Sequence, residues 1–218
     1  AEHRMYLPLA ALTTMAVLGA AGTLGRRAVL PGLAVVVALG VATLVRNLDY
    51  RSEVGIWADA AEKRPANARA HNNLGQALYR AGRIEAAVAS YERALALQPK
   101  YPETHYNLGV ARVRQGDLAR AMAHYGEALR FQPDYPEALN NLGNALLRAG
   151  RPDDARRRYE EALARRPRFA EALNNLGNLL LQEGRPADAR RHFERALDLR
   201  PADVEARYNL GNALSISR

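Results

Sequence analysis

Cysteine is absent from the 218 residues of the chain, which excludes disulfide bonds, thiolate metal ligands and cysteine nucleophiles. Lysine occurs only as Lys63 and Lys100, so arginine supplies nearly all of the positive charge behind the net charge of +8. The arginines are mixed with carboxylates, as in DDARRRYEEALARR, whereas a nucleic-acid site gathers its cations on one face. We therefore expect solvated helix surfaces and no nucleic-acid partner.

Catalytic and metal-binding motifs are also missing. No glycine-rich phosphate loop and no serine-centred elbow occurs, and none of the five histidines has a second histidine or a carboxylate at the spacing of a zinc site. The carboxylate pairs Asp153–Asp154 and Glu160–Glu161 lie beside arginines, where acid–base chemistry lacks a dry pocket. We expect no catalytic residue, no metal, no cofactor and no small-molecule substrate in this segment.

One phrase returns at a fixed interval of 34 residues: NNLGNALLRAG at 140–150 becomes NNLGNLLLQEG at 174–184. A period of this length indicates stacked structural repeats. On the same register, five units carry a Leu-Gly pair, and the four complete units continue with an aromatic residue and a proline at constant distances. The recurring residues are Gly75, Gly109, Gly143, Gly177 and Gly211, then Tyr91, Tyr125, Tyr159 and Phe193, then Pro99, Pro133, Pro167 and Pro201.

This pattern resembles the tetratricopeptide repeat (TPR), a helix-turn-helix unit. The resemblance implies an all-α fold, a TPR α-solenoid in which helix pairs stack into a right-handed superhelix. The residues agree, because each unit reads as two amphipathic helices of about a dozen residues with a glycine between them. Arg112 departs from the pattern at a position that usually holds a bulky apolar residue. His71 and His105 replace a common aromatic residue, and we interpret them as packing residues.

The register also divides the chain. Residues 204–218 read as the first helix of a truncated fifth repeat. Residues 51–67 carry Trp57 and Pro65 at second-helix positions, which predicts a half-repeat that caps the stack and links it to residues 1–50. The four complete repeats are predicted at 68–101, 102–135, 136–169 and 170–203.

Residues 1–50 contain two apolar stretches, at about 5–24 and 28–45, without a charged residue in either. Each is long enough to cross a bilayer core of about 30 Å at 1.5 Å per residue, so we predict a transmembrane hairpin and the lipid bilayer as a partner. A cleaved signal peptide or a buried soluble helix pair are the alternatives. Arg26 and Arg27 between the spans place this loop in the cytoplasm by the positive-inside rule. The repeats of this multi-pass inner-membrane or plasma-membrane protein would then be extracytoplasmic.

The first 70 residues carry a second resemblance. Glu2, Arg4, Tyr6 and Pro8 before the first span, and the passage from the spans into the repeats, are similar to the transmembrane-and-TPR proteins related to protein O-mannosyltransferases, which have bacterial relatives. The resemblance implies that the chain is the C-terminal part of a larger glycosyltransferase that uses a lipid-linked sugar. The catalytic residues of that family lie in an upstream loop, so none is carried onto this sequence.

Asparagine recurs on one face of the first helices, since positions separated by three and four residues lie together on a helix. The ladder asparagines precede each Leu-Gly pair, and the downstream asparagines follow three residues later. The residues just before the ladder asparagines are called the upstream residues. The ladder asparagines are Asn73, Asn107, Asn141, Asn175 and Asn209; the downstream asparagines are Asn144, Asn178 and Asn212; the upstream residues are Asn72, Tyr106, Asn140, Asn174 and Tyr208.

Two interpretations of these asparagines remain open. An amide offers both a donor and an acceptor, so the asparagines could bind the backbone of an extended peptide in the groove, as a similar ladder does in O-linked N-acetylglucosamine transferase. They could equally bond neighbouring helices, because most side-chain amides are satisfied within the protein. Arg80, Arg114 and Arg148 near the same rim would attract acidic segments.

Two functions from different classes follow. The first is a membrane-anchored TPR scaffold that binds a protein or an extended peptide through its concave groove. The second is the tail of a protein O-mannosyltransferase-like enzyme, in which the repeats recruit the acceptor protein. The segment itself is assigned to protein binding.

Overall fold

The computed structural model describes residues 52–216 and five positions further upstream, 34, 37, 38, 40 and 41, all helical. Residues 52–216 contain ten helices and no strand, which confirms the all-α prediction for this part of the chain. The helices are α1 (Glu53–Lys63), α2 (Ala68–Arg80), α3 (Ile84–Leu97), α4 (Pro102–Arg114), α5 (Leu118–Phe131), α6 (Pro136–Arg148), α7 (Pro152–Arg165), α8 (Ala170–Gln182), α9 (Pro186–Leu199) and α10 (Val204–Ile216).

The predicted membrane spans lie outside the described residues, apart from the five helical positions of the second span. Among the helices that the structure describes, none is long and apolar enough to cross a membrane. Helix α1 belongs to a unit that ends at Lys63, and helices α2 to α10 belong to a second compact unit, Arg64–Arg218. The predicted capping role of residues 51–67 stays a prediction.

Glycine and proline set the ends of the helices. The first helix of each complete repeat is followed by a glycine with a φ between 72° and 79°, in the left-handed region that glycine adopts without a steric penalty. After α2 the Arg83 amide donates to the Leu78 carbonyl at 2.9 Å, the bond that closes a Schellman motif. Proline occupies the first turn of α4, α6, α7 and α9, where its missing N–H costs no helical bond.

A glycine in each first helix lies against the aromatic ring of the paired second helix. A Cβ added to Gly143 would lie 2.5 Å from Cε1 of Tyr159, and the same contact measures 2.5–2.6 Å at the equivalent glycines of the other complete repeats. All four rings are at most 2% exposed. The small residue therefore lets the two helices approach closely, and the ring fills the space between them.

Stacking joins the helix pairs into one continuous structure. Each second helix from α3 to α9 contacts its own first helix and the first helix of the next repeat, and successive first helices also touch. One apolar cluster extends from Ala121 on α5 to Ala213 on α10. A single pair exposes its apolar face, so the repeats stabilise one another as in other solenoids.

The three residues that depart from the repeat pattern, His71, His105 and Arg112, bond to nearby groups. Nε2 of His105 donates to the carbonyl oxygen of Pro99 at 3.0 Å, and His71 makes the equivalent bond to Pro65 at 3.1 Å. The histidines therefore tie the start of a first helix to the loop before it, a structural role. Arg112 extends to Glu92, with Nη2 2.5 Å from Oε1.

The glycine contact predicts the effect of one methyl group. Gly143→Ala should lower the free energy of unfolding by about 1–3 kcal/mol, because its Cβ overlaps the Tyr159 ring in a filled core. Gly126→Ala is the matched control, since an added Cβ there meets no atom within 4 Å. The control should be neutral or raise stability by about 0.5–1 kcal/mol through helix propensity. Urea unfolding followed by circular dichroism measures both, and equal stability of the Gly143 variant and the wild type would contradict this packing.

Candidate peptide-binding groove

The ladder asparagines lie half-buried on adjacent first helices, and those from the second repeat onward bond across a repeat boundary. In each of these four, Nδ2 donates to the side chain of the upstream residue in the preceding repeat, which lies 35 positions earlier. The bonds are Asn107 to Asn72 Oδ1 at 3.1 Å, Asn141 to the Tyr106 hydroxyl at 3.0 Å, Asn175 to Asn140 Oδ1 at 3.0 Å and Asn209 to Asn174 Oδ1 at 3.2 Å. Asn73, in the first repeat, accepts from its neighbour Asn72 at 3.4 Å.

The upstream residues of the four complete repeats are the acceptors of these bonds, and three of the four are buried. Asn72, Asn140 and Asn174 are 1–6% exposed. The side-chain Oδ1 of Asn72 also accepts from the Thr104 hydroxyl at 3.0 Å. Burial is the largest cause that raises the pKa of Tyr106, so its hydroxyl stays neutral while it accepts from Asn141. Tyr208 differs from the others, because it is 69% exposed.

The ladder asparagines therefore bond neighbouring repeats, one of the two roles that the sequence left open. One N–H of each bonded amide is committed between repeats, while the Oδ1 atoms of Asn107, Asn141, Asn175 and Asn209 accept no hydrogen bond from the described residues. Binding of a ligand by these oxygens stays a prediction.

The downstream asparagines have fewer partners. Oδ1 of Asn144 accepts from the Tyr159 hydroxyl at 2.6 Å, and burial raises the pKa of that hydroxyl to about 12, which keeps it a donor. The repeat with Asn178 carries Phe193 in place of the tyrosine, so this donor is missing. The side chains of Asn178 and Asn212 make no hydrogen bond within residues 52–216. Amide groups therefore remain accessible to a ligand at these positions.

Two of the three predicted rim arginines meet at a depression. Arg114 and Arg148 line a half-open cavity of about 150 Å³ together with two ladder-face asparagines, Asn141 and Asn144. Arg80 is exposed on α2 and lies outside this lining; its Nε donates to the Gln76 carbonyl at 3.4 Å. The remaining lining residues were not predicted from the sequence: Tyr79, Val110, Val113, Tyr125 and Ala145.

The two edges of the first helices differ in charge compensation. Near the start of α6 and α8, Glu137 pairs with Arg166 at 2.7 Å and Glu171 with Arg200 at 3.1 Å. At the other end, Arg114 and Arg148 form no ion pair with any residue that the structure describes. Exposed ion pairs add little stability, but they neutralise the acidic edge and leave net positive charge at the cavity.

No cluster of three histidine, aspartate or glutamate side chains that could hold a metal ion occurs in the described ranges.

Comparison with known families identifies the repeats. A family model described as TPR repeat matches residues 77–116 and 111–150, and a model described as tetratricopeptide repeat matches 140–190 and 175–214. Together the matches extend over more than half of the chain. The chain belongs to the tetratricopeptide-repeat family.

Several solved structures share this fold. YrrB, a TPR protein, gives a TM-score of 0.62 at 24% identity, over 74% of this chain and 83% of YrrB. TTC0263 of Thermus thermophilus gives 0.63 at 24% identity, over 82% of this chain and 96% of its own. One chain of the APC/C hetero-tetramer Cut9–Hcn1 gives 0.68 at 21% identity, over 84% of this chain and 35% of that chain. At these identities the likeness is one of fold.

The comparisons give no support to the predicted kinship of the N-terminal stretch with O-mannosyltransferase-related proteins. No protein of curated function matches the chain.

The bonds of the ladder predict a difference between two asparagines on α8. Asn175→Ala removes the donor of buried Asn140, so it should lower the free energy of unfolding by about 1–3 kcal/mol. Asn178→Ala, one turn later, removes no hydrogen bond to a described residue and should change stability by less than about 0.5 kcal/mol. Urea midpoints compare the two variants, and equal losses would show that the ladder bond contributes nothing specific.

Proposed function

We propose that this TPR array binds an extended segment of a protein along the surface of its first helices. The observation that carries the proposal is a pair of downstream amides, Asn178 and Asn212, that bond no described residue. They lie on the same face as Arg114 and Arg148, which form no ion pair within residues 52–216. Such groups are solvated in the free protein and can exchange water for a ligand. The TPR fold itself is consistent with a scaffold that binds peptides or proteins.

Two structural neighbours support this assignment by their own functions. YrrB is described as a TPR protein with an unusual peptide-binding site, and Cut9 is part of a hetero-tetramer with Hcn1. These two descriptions apply to YrrB and Cut9 alone. Their relevance to this chain rests on the shared fold.

The chemistry of the face favours an extended backbone as ligand. An asparagine amide accepts from a peptide N–H and donates to a peptide C=O, so a row of amides recognises the backbone of many sequences. The ladder bonds hold the first helices in a fixed arrangement before binding, which lowers the entropic cost of association. Side-chain preference must then come from the groups between the amides.

Removal of the unpartnered amides should weaken binding without unfolding the protein. Peptides selected from a random displayed library on the purified full chain serve as probes. Asn178→Ala with Asn212→Ala should raise Kd about 5- to 30-fold, since each lost bond is worth about 1 kcal/mol. Gln98→Ala, an exposed loop amide, is the control and should leave Kd unchanged. Fluorescence anisotropy measures Kd and thermal unfolding checks the fold.

Absence of any selected peptide would contradict the proposal. Equal affinities of the double variant, the control and the wild type would also do so, because the ligand would then bind elsewhere.

We further propose that residues 5–24 and 28–45 anchor the repeats to a membrane and that the repeats are extracytoplasmic. The support is the length of the two uncharged stretches and the arginine pair between them. A role as the tail of a glycosyltransferase has only the sequence resemblance behind it.

Lys100→Cys tests this topology, since the chain has no other cysteine and Lys100 is exposed in the loop after α3. In a bacterial host the full chain should sediment with the membranes, and a membrane-impermeant maleimide should label the intact cells after removal of the outer membrane. A soluble chain would contradict the anchor. Labelling only after the inner membrane is broken would contradict the orientation.

A further inference from the structure

We propose that the cavity between α2, α4 and α6 is a side-chain pocket of this groove, which takes an aliphatic residue of the bound segment next to a carboxylate. The inference rests on the proposed function and names the ligand chemistry of one place in the groove. It depends on the shape of the cavity, on its two arginines and on the orientation of its two amides.

Part of the cavity wall is apolar at a place where the later repeats carry asparagine. Val110 occupies the position of Asn144, Asn178 and Asn212 in the later repeats, so the line of downstream amides does not extend into the cavity at α4. Val113 and Ala145 continue the apolar lining, and Tyr125 lies below them with its ring 2% exposed. An aliphatic side chain that enters this cavity removes apolar surface from water on both sides.

The size of the cavity favours one side chain over a small molecule. Its volume of about 150 Å³ lies below the roughly 300–1,000 Å³ of pockets that enclose small-molecule ligands. A valine, leucine or isoleucine side chain is of the size that fits.

The two amides in the lining are oriented by bonds inside the protein. Nδ2 of Asn141 donates to the Tyr106 hydroxyl at 3.0 Å, and the same amide group interacts with the Tyr125 hydroxyl, which leaves its Oδ1 as an acceptor. Oδ1 of Asn144 accepts from the Tyr159 hydroxyl at 2.6 Å, which leaves its NH₂ as a donor. One free acceptor and one free donor are what the N–H and C=O of a single bound residue require. The aliphatic residue would be held by its backbone as well as by its side chain.

The arginines supply the acidic preference. Arg114 and Arg148 border the cavity and form no ion pair within the described residues, and a guanidinium binds a carboxylate through two parallel hydrogen bonds. The equivalent residue of the next repeat is Gln182, so paired arginines do not continue along the groove. A carboxylate of the ligand, from an Asp or Glu side chain or from the chain terminus, therefore lies beside the aliphatic residue.

The test substitutions use residues that other repeats of this chain carry at the same positions. Val110→Asn introduces the asparagine of the later repeats, and Arg114→Gln with Arg148→Gln introduces the glutamine found at Gln182. The control is Arg93→Gln with Arg191→Gln, an equal loss of charge on the second helices α3 and α9. The probes are peptides selected on the full chain from a random displayed library, synthesised with a free and with an amidated C-terminus.

We expect the selected peptides to share an aliphatic residue within two positions of a carboxylate. The arginine pair variant and the Val110 variant should each raise Kd at least tenfold with unchanged thermal unfolding, and added salt should weaken binding to the wild type far more than to the arginine variant. The control should change Kd less than threefold. Loss of binding on amidation assigns the carboxylate to the chain terminus, and retained binding assigns it to a side chain.

Selected peptides without such a pair, or with a Kd unaffected by the pocket variants, would overturn the pocket. If these peptides still lose affinity to Asn178→Ala with Asn212→Ala, the groove function stands and the pocket alone fails. If neither the pocket variants nor the Asn178 and Asn212 variant changes Kd, the pocket and the groove function are both contradicted.

Discussion

The close contact between a first-helix glycine and a second-helix aromatic ring determines how the other surfaces of each repeat are used. A side chain at Gly75, Gly109, Gly143 or Gly177 would overlap the ring, so one face of each first helix is given entirely to its own pair. The second-helix alanines on either side of each ring, such as Ala155 and Ala162 beside Tyr159, are fully buried and extend this close packing. The face that remains is shared between the neighbouring repeat and solvent, and there the chain places its asparagines.

The asparagines on that shared face have two different roles, although the two kinds lie only three positions apart in the sequence. The ladder asparagines donate across the repeat boundary to upstream side chains, and these bonds fix one repeat against the next. The downstream asparagines lie one turn further on and are bonded only within their own repeat or to no described residue. Asparagine suits both places because its short side chain carries a donor and an acceptor. An inter-repeat bond orients Asn141, and a bond within the repeat orients Asn144. The internal hydrogen bonds and the proposed ligand surface therefore depend on one another.

Much of the fold was predictable from the sequence because each repeat follows local rules. The period, the glycine between the two helices of each repeat and the prolines predict the helix pairs, and four helix pairs are observed between residues 68 and 199. The partners of the asparagines were not predictable, because helical spacing assigns a face but does not show which amide nitrogen lies 3.0 Å from Oδ1 of Asn140. The cavity was missed because its lining comes from three repeats. Its signal in the sequence was Val110, at a repeat position that carries Gln76 in the first repeat and asparagine in the later ones.

The central claim is that the ladder asparagines hold the repeats together, while the downstream asparagines, joined at the cavity by Asn141, bind the ligand. Side-chain NH₂ signals in ¹H–¹⁵N spectra of the isotope-labelled chain test it directly during titration with a selected peptide. The account predicts that the signals of Asn144 and Asn178 move on saturation, while those of Asn107 and Asn175 keep their positions. Movement of the Asn107 and Asn175 signals with those of Asn144 and Asn178 unchanged would contradict it.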